Sequence, residues 1–154
     1  MMCTSIYYRI AMIPHARCFP AQFSQLHPLQ DWLTQTCRAL GLAQQEALRA
    51  QLVVEELFAN TVHHGYGPDT PAAQALVWLE ITRRAEEVEI RYLDAAQPYN
   101  PLLQDANTVV QAVEHGQVGG VGCLLVKSLP SRCQYAWHEG RNVVALSFSC
   151  LPGA

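Results

Sequence analysis

The strongest pattern of apolar positions in the chain lies within residues 46–66. Its members recur at helical spacing and are Ala50, Val53, Val54, Leu57, Phe58 and Thr61. At about 100° per residue these positions form one broad stripe, so residues 46–66 are predicted to form an amphipathic helix that packs on a sheet. The run Gly-Tyr-Gly-Pro at residues 65–68 is a strong helix terminator.

A row of polar side chains borders this stripe. Glu56, Asn60 and His64 are spaced i, i+4, i+8 and therefore share one edge of the buried face. They need partners, because a polar group left unpaired in a core costs about 1–3 kcal/mol. A ligand, a metal with its waters or a neighbouring strand would supply these partners. Alternatively, Glu56 pairs with Arg49 and His64 caps the helix.

Shorter patterns predict two more helices and several strands. The helices are expected at residues 29–40, ended by Gly41, and at residues 123–129, ended by Pro130. Strands are expected at residues 5–12, 75–82, 87–93, 132–138 and 142–148. Residues 15–28, which contain two prolines, are predicted to be a connection.

Two hairpins are expected among these strands. A charged turn at residues 83–86 joins the second and third strands, and this pair delivers Asp94 to the end of a strand. Residues 139–141, Glu-Gly-Arg, are expected to join the last two strands. A carboxylate at a strand end faces a ligand in some proteins, although aspartate at such a position is also a common turn former.

Residues 95–118 show little periodicity beyond a mildly helical stretch at 107–114. A segment of this length without regular structure is more often a functional lid than a plain connector. It leads into the glycine-rich residues 116–122. Glycines at the start of a helix let the backbone approach a ligand, and the free amide groups there favour a phosphate. No Walker lysine motif accompanies them, so a flexible loop before a capped helix is the alternative.

Composition excludes some classes of function. The 154 residues, half of them hydrophobic, are expected to form a single domain. The formal net charge is -3, so the chain has no basic field to bind nucleic acid or an anionic membrane surface. It contains no secretory signal and no run of 18 apolar residues, and we expect a cytoplasmic protein.

The six cysteines are scattered and form no CXXC pair. They are Cys3, Cys18, Cys37, Cys123, Cys133 and Cys150. In a chain without an export signal we expect reduced thiols, mostly buried as small hydrophobic groups. A zinc site is not favoured, because the adjacent His63 and His64 point about 100° apart on a helix.

Three segments in order resemble the motifs of the GHKL ATPases. VVEELFANTVHHGY, residues 53–66, is similar to the N-box of that family. DAAQPYNP, residues 94–101, resembles its DXGXPFXP box, and residues 119–148 resemble its glycine box, following helix and closing hairpin. The similarity is strongest to the anti-sigma factor serine kinases of the SpoIIAB and RsbW type. It implies the Bergerat fold, an α/β two-layer sandwich whose mixed sheet is covered by helices on one face.

The resemblance also implies cofactors and residue roles. The cofactors would be ATP and Mg²⁺, with Asn60 holding the metal and His64 belonging to the nucleotide site. Asp94 would accept a hydrogen bond from the adenine amino group. Glu56 would be the general base that takes the proton from a serine hydroxyl.

The remaining residues of the implied nucleotide site are small. Gly119, Gly120 and Gly122 would contact the phosphates beneath the lid. The family glycine two residues after the aspartate is Ala96 here, and its methyl group is expected to narrow the adenine site or to conflict with a positive φ. Tyr99 replaces a phenylalanine.

By this resemblance the chain is an ATP-dependent protein-serine kinase and partner switch. Its substrate would be a STAS-domain anti-anti-sigma protein, a sigma factor would be a second partner, and a homodimer would form through the first strand. One alternative is a catalytically silent module that binds nucleotide or a non-sigma partner. Another is the catalytic fragment of a histidine-kinase-like protein.

Overall fold

The computed structural model describes residues 14–104, 114 and 121–152, and a five-stranded sheet is its largest element. The strands are β1 His15–Pro20, β2 Leu76–Arg84, β3 Glu87–Asp94, β4 Arg132–His138 and β5 Arg141–Ser149. Their order is β1-β2-β3-β5-β4, and each neighbouring pair is antiparallel. The sheet is therefore antiparallel throughout the described ranges, where the resemblance implied a mixed one.

One face of the sheet is apolar because apolar and polar side chains alternate along its strands. The register aligns Ile81, Ile90 and Leu146 across β2, β3 and β5, and the next row on the same face contains Leu79 and Tyr92. All five side chains are buried. An apolar face of this kind needs a covering layer.

Three helices form that layer. They are α1 Leu26–Ala39, α2 Gln44–Asn60 and α3 Val121–Ser128, and α2 packs against both of the others. The predicted stripe of α2 is confirmed, since its apolar members from Ala50 to Phe58 are all buried. On the other face of the sheet, Arg91 pairs with Glu80, so that face is polar in part. The predicted α/β sandwich with helices on one face is confirmed.

The prediction of a connection at residues 15–28 was wrong. His15–Pro20 forms the edge strand β1, with Cys18 opposite Trp78 of β2, and α1 begins at Leu26. Only Phe19 of β1 is buried, so backbone hydrogen bonds define this strand without any alternation of apolar residues. Pro28 is tolerated in the first turn of α1, because the N–H groups there have no partner within the helix.

Several other predictions fall outside the described residues, namely the strand at 5–12, most of the lid and the glycines at 116, 119 and 120. Between residues 95 and 104 the structure contains a 3₁₀ turn at Pro101–Leu103. The five cysteines of the described part are free thiols, as expected, but only Cys37 and Cys123 are buried, so the prediction that most would be buried was wrong. None of the helices in the described ranges combines the length and the apolar character needed to cross a membrane.

The predicted hairpin of β4 and β5 is confirmed, but its turn has two residues, because Arg141, expected in the turn, is the first residue of β5. Glu139 has φ 50° and Gly140 has φ 74°. Positive φ at both residues is the mark of a type I′ turn, whose twist matches that of the flanking strands. Glycine adopts positive φ without steric cost, whereas a residue with a Cβ atom is strained in that conformation.

We expect Gly140→Ala to lower the free energy of unfolding by about 1 kcal/mol through backbone strain alone. No steric clash would add to this strain, because a Cβ added at Gly140 would meet no atom within 4 Å. Gly67→Ala is the matched control, since its Cβ would also meet nothing and Gly67 has no positive φ. Urea denaturation of both variants measures the difference. Equal stability of the two would contradict the strained turn.

Candidate nucleotide-binding site

A cavity of about 280 Å³ opens where the C-terminal end of α2 meets the ends of β3 and β5. Its walls include Asn60 at the end of α2, Thr61, His64 and Gly65 after it, Tyr92 and Asp94 of β3, the loop residues 96–99, and Asn142 and Val144 of β5. Ligand sites are typically concave and largely apolar, with a few fixed polar groups. A cavity of this volume accommodates a flat heterocyclic base.

The end of α2 differs from the single long helix that was predicted. After Asn60 the chain continues as a π-helical turn, Thr61–Gly65. Thr61 Oγ1 lies 3.1 Å from the carbonyl oxygen of Leu57, one turn earlier, and side-chain contacts of this kind often bend a helix. Such π-helical turns are rare and occur often at functional sites. This one places both Thr61 and His64 in the cavity wall.

The carboxylate of Asp94 is the most tightly held charged group of the cavity. It is only 7% exposed. Its Oδ1 accepts from Asn142 Nδ2 at 2.8 Å and from the Ala96 N–H at 3.1 Å, and its Oδ2 accepts from Thr61 Oγ1 at 2.9 Å. Each carboxylate oxygen accepts about two hydrogen bonds. Counting partners among the described residues alone, Oδ2 keeps one acceptor position for a ligand that donates a proton.

Two hydroxyl groups, those of Tyr92 and Thr61, form a chain of hydrogen bonds that ends at this carboxylate. The phenol of Tyr92 lies 2.7 Å from Thr61 Oγ1 and 3.3 Å from the Leu57 carbonyl. Burial raises the pKa of Tyr92 well above its usual value, so the phenol keeps its proton and acts as a donor. With Tyr92 donating to Thr61 Oγ1, the one hydroxyl proton of Thr61 is left for Asp94 Oδ2.

Asn142 at the start of β5 is a site residue that the sequence did not indicate. It is 4% exposed, and its amide group donates to Asp94 Oδ1 at 2.8 Å and to the Gln97 carbonyl at 2.9 Å. Its Oδ1 accepts from the Tyr99 N–H and the Tyr135 hydroxyl, both at 2.8 Å. All four hydrogen-bonding positions of the amide are therefore used. The pairing of Asp94 with Asn142 in the β3–β5 register brings them together, and knowledge of that register was the missing signal.

Tyr66 fixes the loop that follows Asp94. Its hydroxyl accepts from the Ala95 N–H at 2.9 Å and donates to the carbonyl of Leu76, the first residue of β2. Burial is the main cause that raises the pKa of Tyr66, so the phenol stays protonated and can donate. The end of the π-helical turn is thereby tied to the ends of two strands.

Ala96 does not produce the backbone conflict that was expected. Among described residues other than glycine, positive φ occurs at Ala85 and Glu139 alone, so Ala96 does not need the conformation that favours glycine. Its methyl group is buried in the cavity wall. A Cβ added at Gly65 would lie 3.2 Å from the Ala96 Cβ, so the bare Gly65 leaves room for the methyl group.

The structure brings together only part of the predicted site. Asn60 and His64 line the cavity with Asp94 and Ala96. Glu56 does not line the cavity, and its carboxylate lies against Gly122 in the first turn of α3. The alternative pairing with Arg49 is not observed, because Arg49 bonds to Glu46 at 2.7 Å. Gly119 and Gly120 lie outside the described residues.

The described side chains near Asn60 offer few ligands for Mg²⁺. In the described ranges, no cluster of three or more His, Cys, Asp or Glu side chains is arranged to hold a metal. Mg²⁺ is commonly bound by one or two protein oxygens together with substrate phosphates and water. The amide oxygen of Asn60 fits that role, and the donor set matches a cation that arrives with a nucleotide.

The fold and this cavity define a histidine kinase-like ATPase domain. The sequence model of that family matches residues 19–148, and the chain belongs to the family. The GHKL resemblance of the three motifs is thereby confirmed.

Among characterised proteins, the chain is similar to the serine/threonine-protein kinase BtrW of Bordetella bronchiseptica. The two are 29% identical over 101 residues, which cover 66% of this chain and 69% of BtrW.

Two solved structures share the fold. The first contains the RsbU and RsbW domains of Rv1364c from Mycobacterium tuberculosis, with a TM-score of 0.61 and 13% identity, and the match covers 88% of this chain and 32% of that one. The second is the SiaB–SiaC complex from Pseudomonas aeruginosa, with a TM-score of 0.64 and 16% identity, covering 86% of this chain and 88% of that one.

We expect Thr61→Val to lower the free energy of unfolding by about 1–3 kcal/mol, because the buried Asp94 Oδ2 loses its donor while side-chain volume is nearly conserved. Thr61→Ser keeps the hydroxyl and is the matched control. Chemical denaturation near neutral pH measures both variants. If the valine variant were as stable as the serine variant, the hydroxyl would not be a required donor to Asp94.

Proposed function

We propose that this protein is an ATP-dependent protein-serine kinase that phosphorylates a STAS-domain partner. The observation that carries the proposal is the pair of carboxylates with different surroundings. Asp94 is immobilised in the cavity with one acceptor position left, and Glu56 lies one helical turn before Asn60, against the glycine that opens α3. The first suits recognition of a base, and the second suits proton transfer. Membership of the histidine kinase-like ATPase family and similarity to a serine/threonine kinase support this proposal.

Asp94 would select adenine. The remaining acceptor position of its Oδ2 matches the 6-amino group of adenine, which donates a proton. The 6-oxo group of guanine is an acceptor and would face the carboxylate without a proton between them. A hydrogen bond to a charged group is worth about 1.5–3 kcal/mol, so this mismatch would weaken binding about 10- to 100-fold.

The phosphate end would lie along α2 toward α3. Asn60 would hold Mg²⁺, and Gly122, with Gly119 and Gly120, would face the phosphates. When bound, the cation neutralises charge that develops on the transferred phosphoryl group. His64, in the cavity wall beside Asn60, would border the nucleotide.

Glu56 would act as the general base. Residues four apart on a helix share one side, so Glu56 and Asn60 project toward the same region. A carboxylate beyond the base cavity can accept the proton of an incoming serine hydroxyl without contacting adenine. Proton removal of this kind contributes about 10²- to 10⁴-fold in rate.

The partners we propose follow the same reading. A STAS-domain protein would be the substrate, a sigma factor would be an alternative partner, and the chain would work as a homodimer in the cytoplasm. One solved structure of this fold is a SiaB–SiaC complex, which motivates a search for a partner protein. A STAS-domain protein encoded nearby in the genome is the first substrate to test.

Wild-type protein is expected to bind ATP about tenfold or more tightly than GTP, and Asp94→Asn is expected to weaken ATP binding by about 10- to 100-fold. Isothermal titration calorimetry with Mg²⁺ present measures both values. Asp69→Asn, a charge change at an exposed loop residue, is the control and should bind ATP like wild type. Equal affinities of wild type for ATP and GTP would argue against base recognition by Asp94.

Glu56→Gln is expected to slow transfer of labelled γ-phosphate to the STAS-domain protein by about 10²- to 10⁴-fold, with ATP affinity unchanged. Glu55→Gln is the control, because it removes the same charge one residue away, where Glu55 accepts from Gln30 at 2.8 Å on the α1 side. A wild type that binds ATP and labels no STAS-domain protein would instead indicate a silent binding module.

A further inference from the structure

Gly122 is the second residue of α3, and the space beside it is filled by Glu56. A Cβ added at Gly122 would overlap the Oε2 and Cδ atoms of Glu56 and would come within 3.1 Å of its Cγ. Two successive atoms of one side chain thus occupy the volume that any residue other than glycine would need, and a third is in tight contact with it.

The backbone at this position does not itself require glycine. Gly122 lies within α3 and has no positive φ, and glycine within a helix is less favourable than alanine. The resemblance implies that a phosphate lies close to the backbone of Gly122, which is one reason for glycine at this position. The packing against Glu56 is a second reason for glycine, and it is independent of any ligand because it involves a side chain of the protein itself.

The rest of α3 cannot easily move away from Glu56. The next residue, Cys123, is 3% exposed, and Val126 one turn later is fully buried. Displacing α3 would pull both from the core, whereas Glu56 is only partly buried and has a flexible side chain. A side chain at residue 122 would therefore displace the Glu56 carboxylate rather than the helix.

We infer that Gly122 is a positioning residue for Glu56: its missing side chain lets the carboxylate rest on the first turn of α3, so the packed core fixes where the proposed base lies. This inference rests on the proposed kinase function. It gives Gly122 a role beyond contact with phosphate. The position of the carboxylate matters because a displacement of about 1 Å can cost about 100-fold in rate.

The test is a double-mutant cycle of Gly122→Ala and Glu56→Ala with three readouts. They are the maximal rate of labelled phosphate transfer to the STAS-domain protein, the dissociation constant of ATP·Mg²⁺, and the midpoint of thermal unfolding. Gly67→Ala, whose Cβ would meet no atom within 4 Å, is the control in both backgrounds.

We expect Gly122→Ala to lower the maximal rate of transfer, measured at saturating ATP·Mg²⁺, by about 10- to 100-fold. In the Glu56→Ala background it should cause no further loss. The unfolding midpoint should rise more on Gly122→Ala in that background than in wild type, because the overlap is gone and alanine favours the helix.

Two results would overturn the inference. One is a loss of maximal rate that is as large in the Glu56→Ala background as in wild type, which would show that residue 122 does not act through Glu56. The other is strict additivity of the two changes in unfolding midpoint, which would show that residues 122 and 56 do not interact. The thermal cycle needs no kinase activity, so failure of the kinase proposal would be seen separately.

Discussion

Burial of the Asp94 carboxylate at the end of β3 removes a charge from water, and the fold compensates with three hydrogen-bond donors. The donors come from different elements, namely Thr61 after α2, Asn142 of β5 and the Ala96 N–H in the loop after β3. Such a charge is tolerated only when its partners are held in good geometry. Satisfying one carboxylate therefore fixes the relative positions of the three walls of the cavity.

Helix α2 carries this constraint to the other end of the site. Its buried stripe fixes it on the sheet, and its final turns present Glu56, Asn60 and Thr61 in sequence. A helix rises 1.5 Å per residue, so Glu56 and Asn60 are separated by about 6 Å along the axis. The distance from Asn60 to the proposed proton acceptor Glu56 is thus set by one regular helix. Contact of Glu56 with Gly122 adds α3 to the same packed unit.

Local sequence patterns predicted the elements whose burial is strongly periodic. The stripe of α2, both hairpins and the position of Asp94 at a strand end all follow from spacing and turn residues. Three features depended on information that is not local. The edge strand β1 shows no apolar alternation, and the π-helical turn at Thr61–Gly65 interrupts a helical spacing that continues through it. Asn142 meets Asp94 only through the order of strands in the sheet.

The most direct single measurement is to map phosphorylation sites by mass spectrometry on a STAS-domain partner incubated with the wild-type protein and ATP·Mg²⁺. If Asp94 binds adenine and Glu56 accepts the proton, phosphate is expected on one serine of the partner. It should form with ATP and far more slowly with GTP. An unmodified partner under conditions in which calorimetry shows the enzyme saturated with ATP would contradict kinase activity toward that partner.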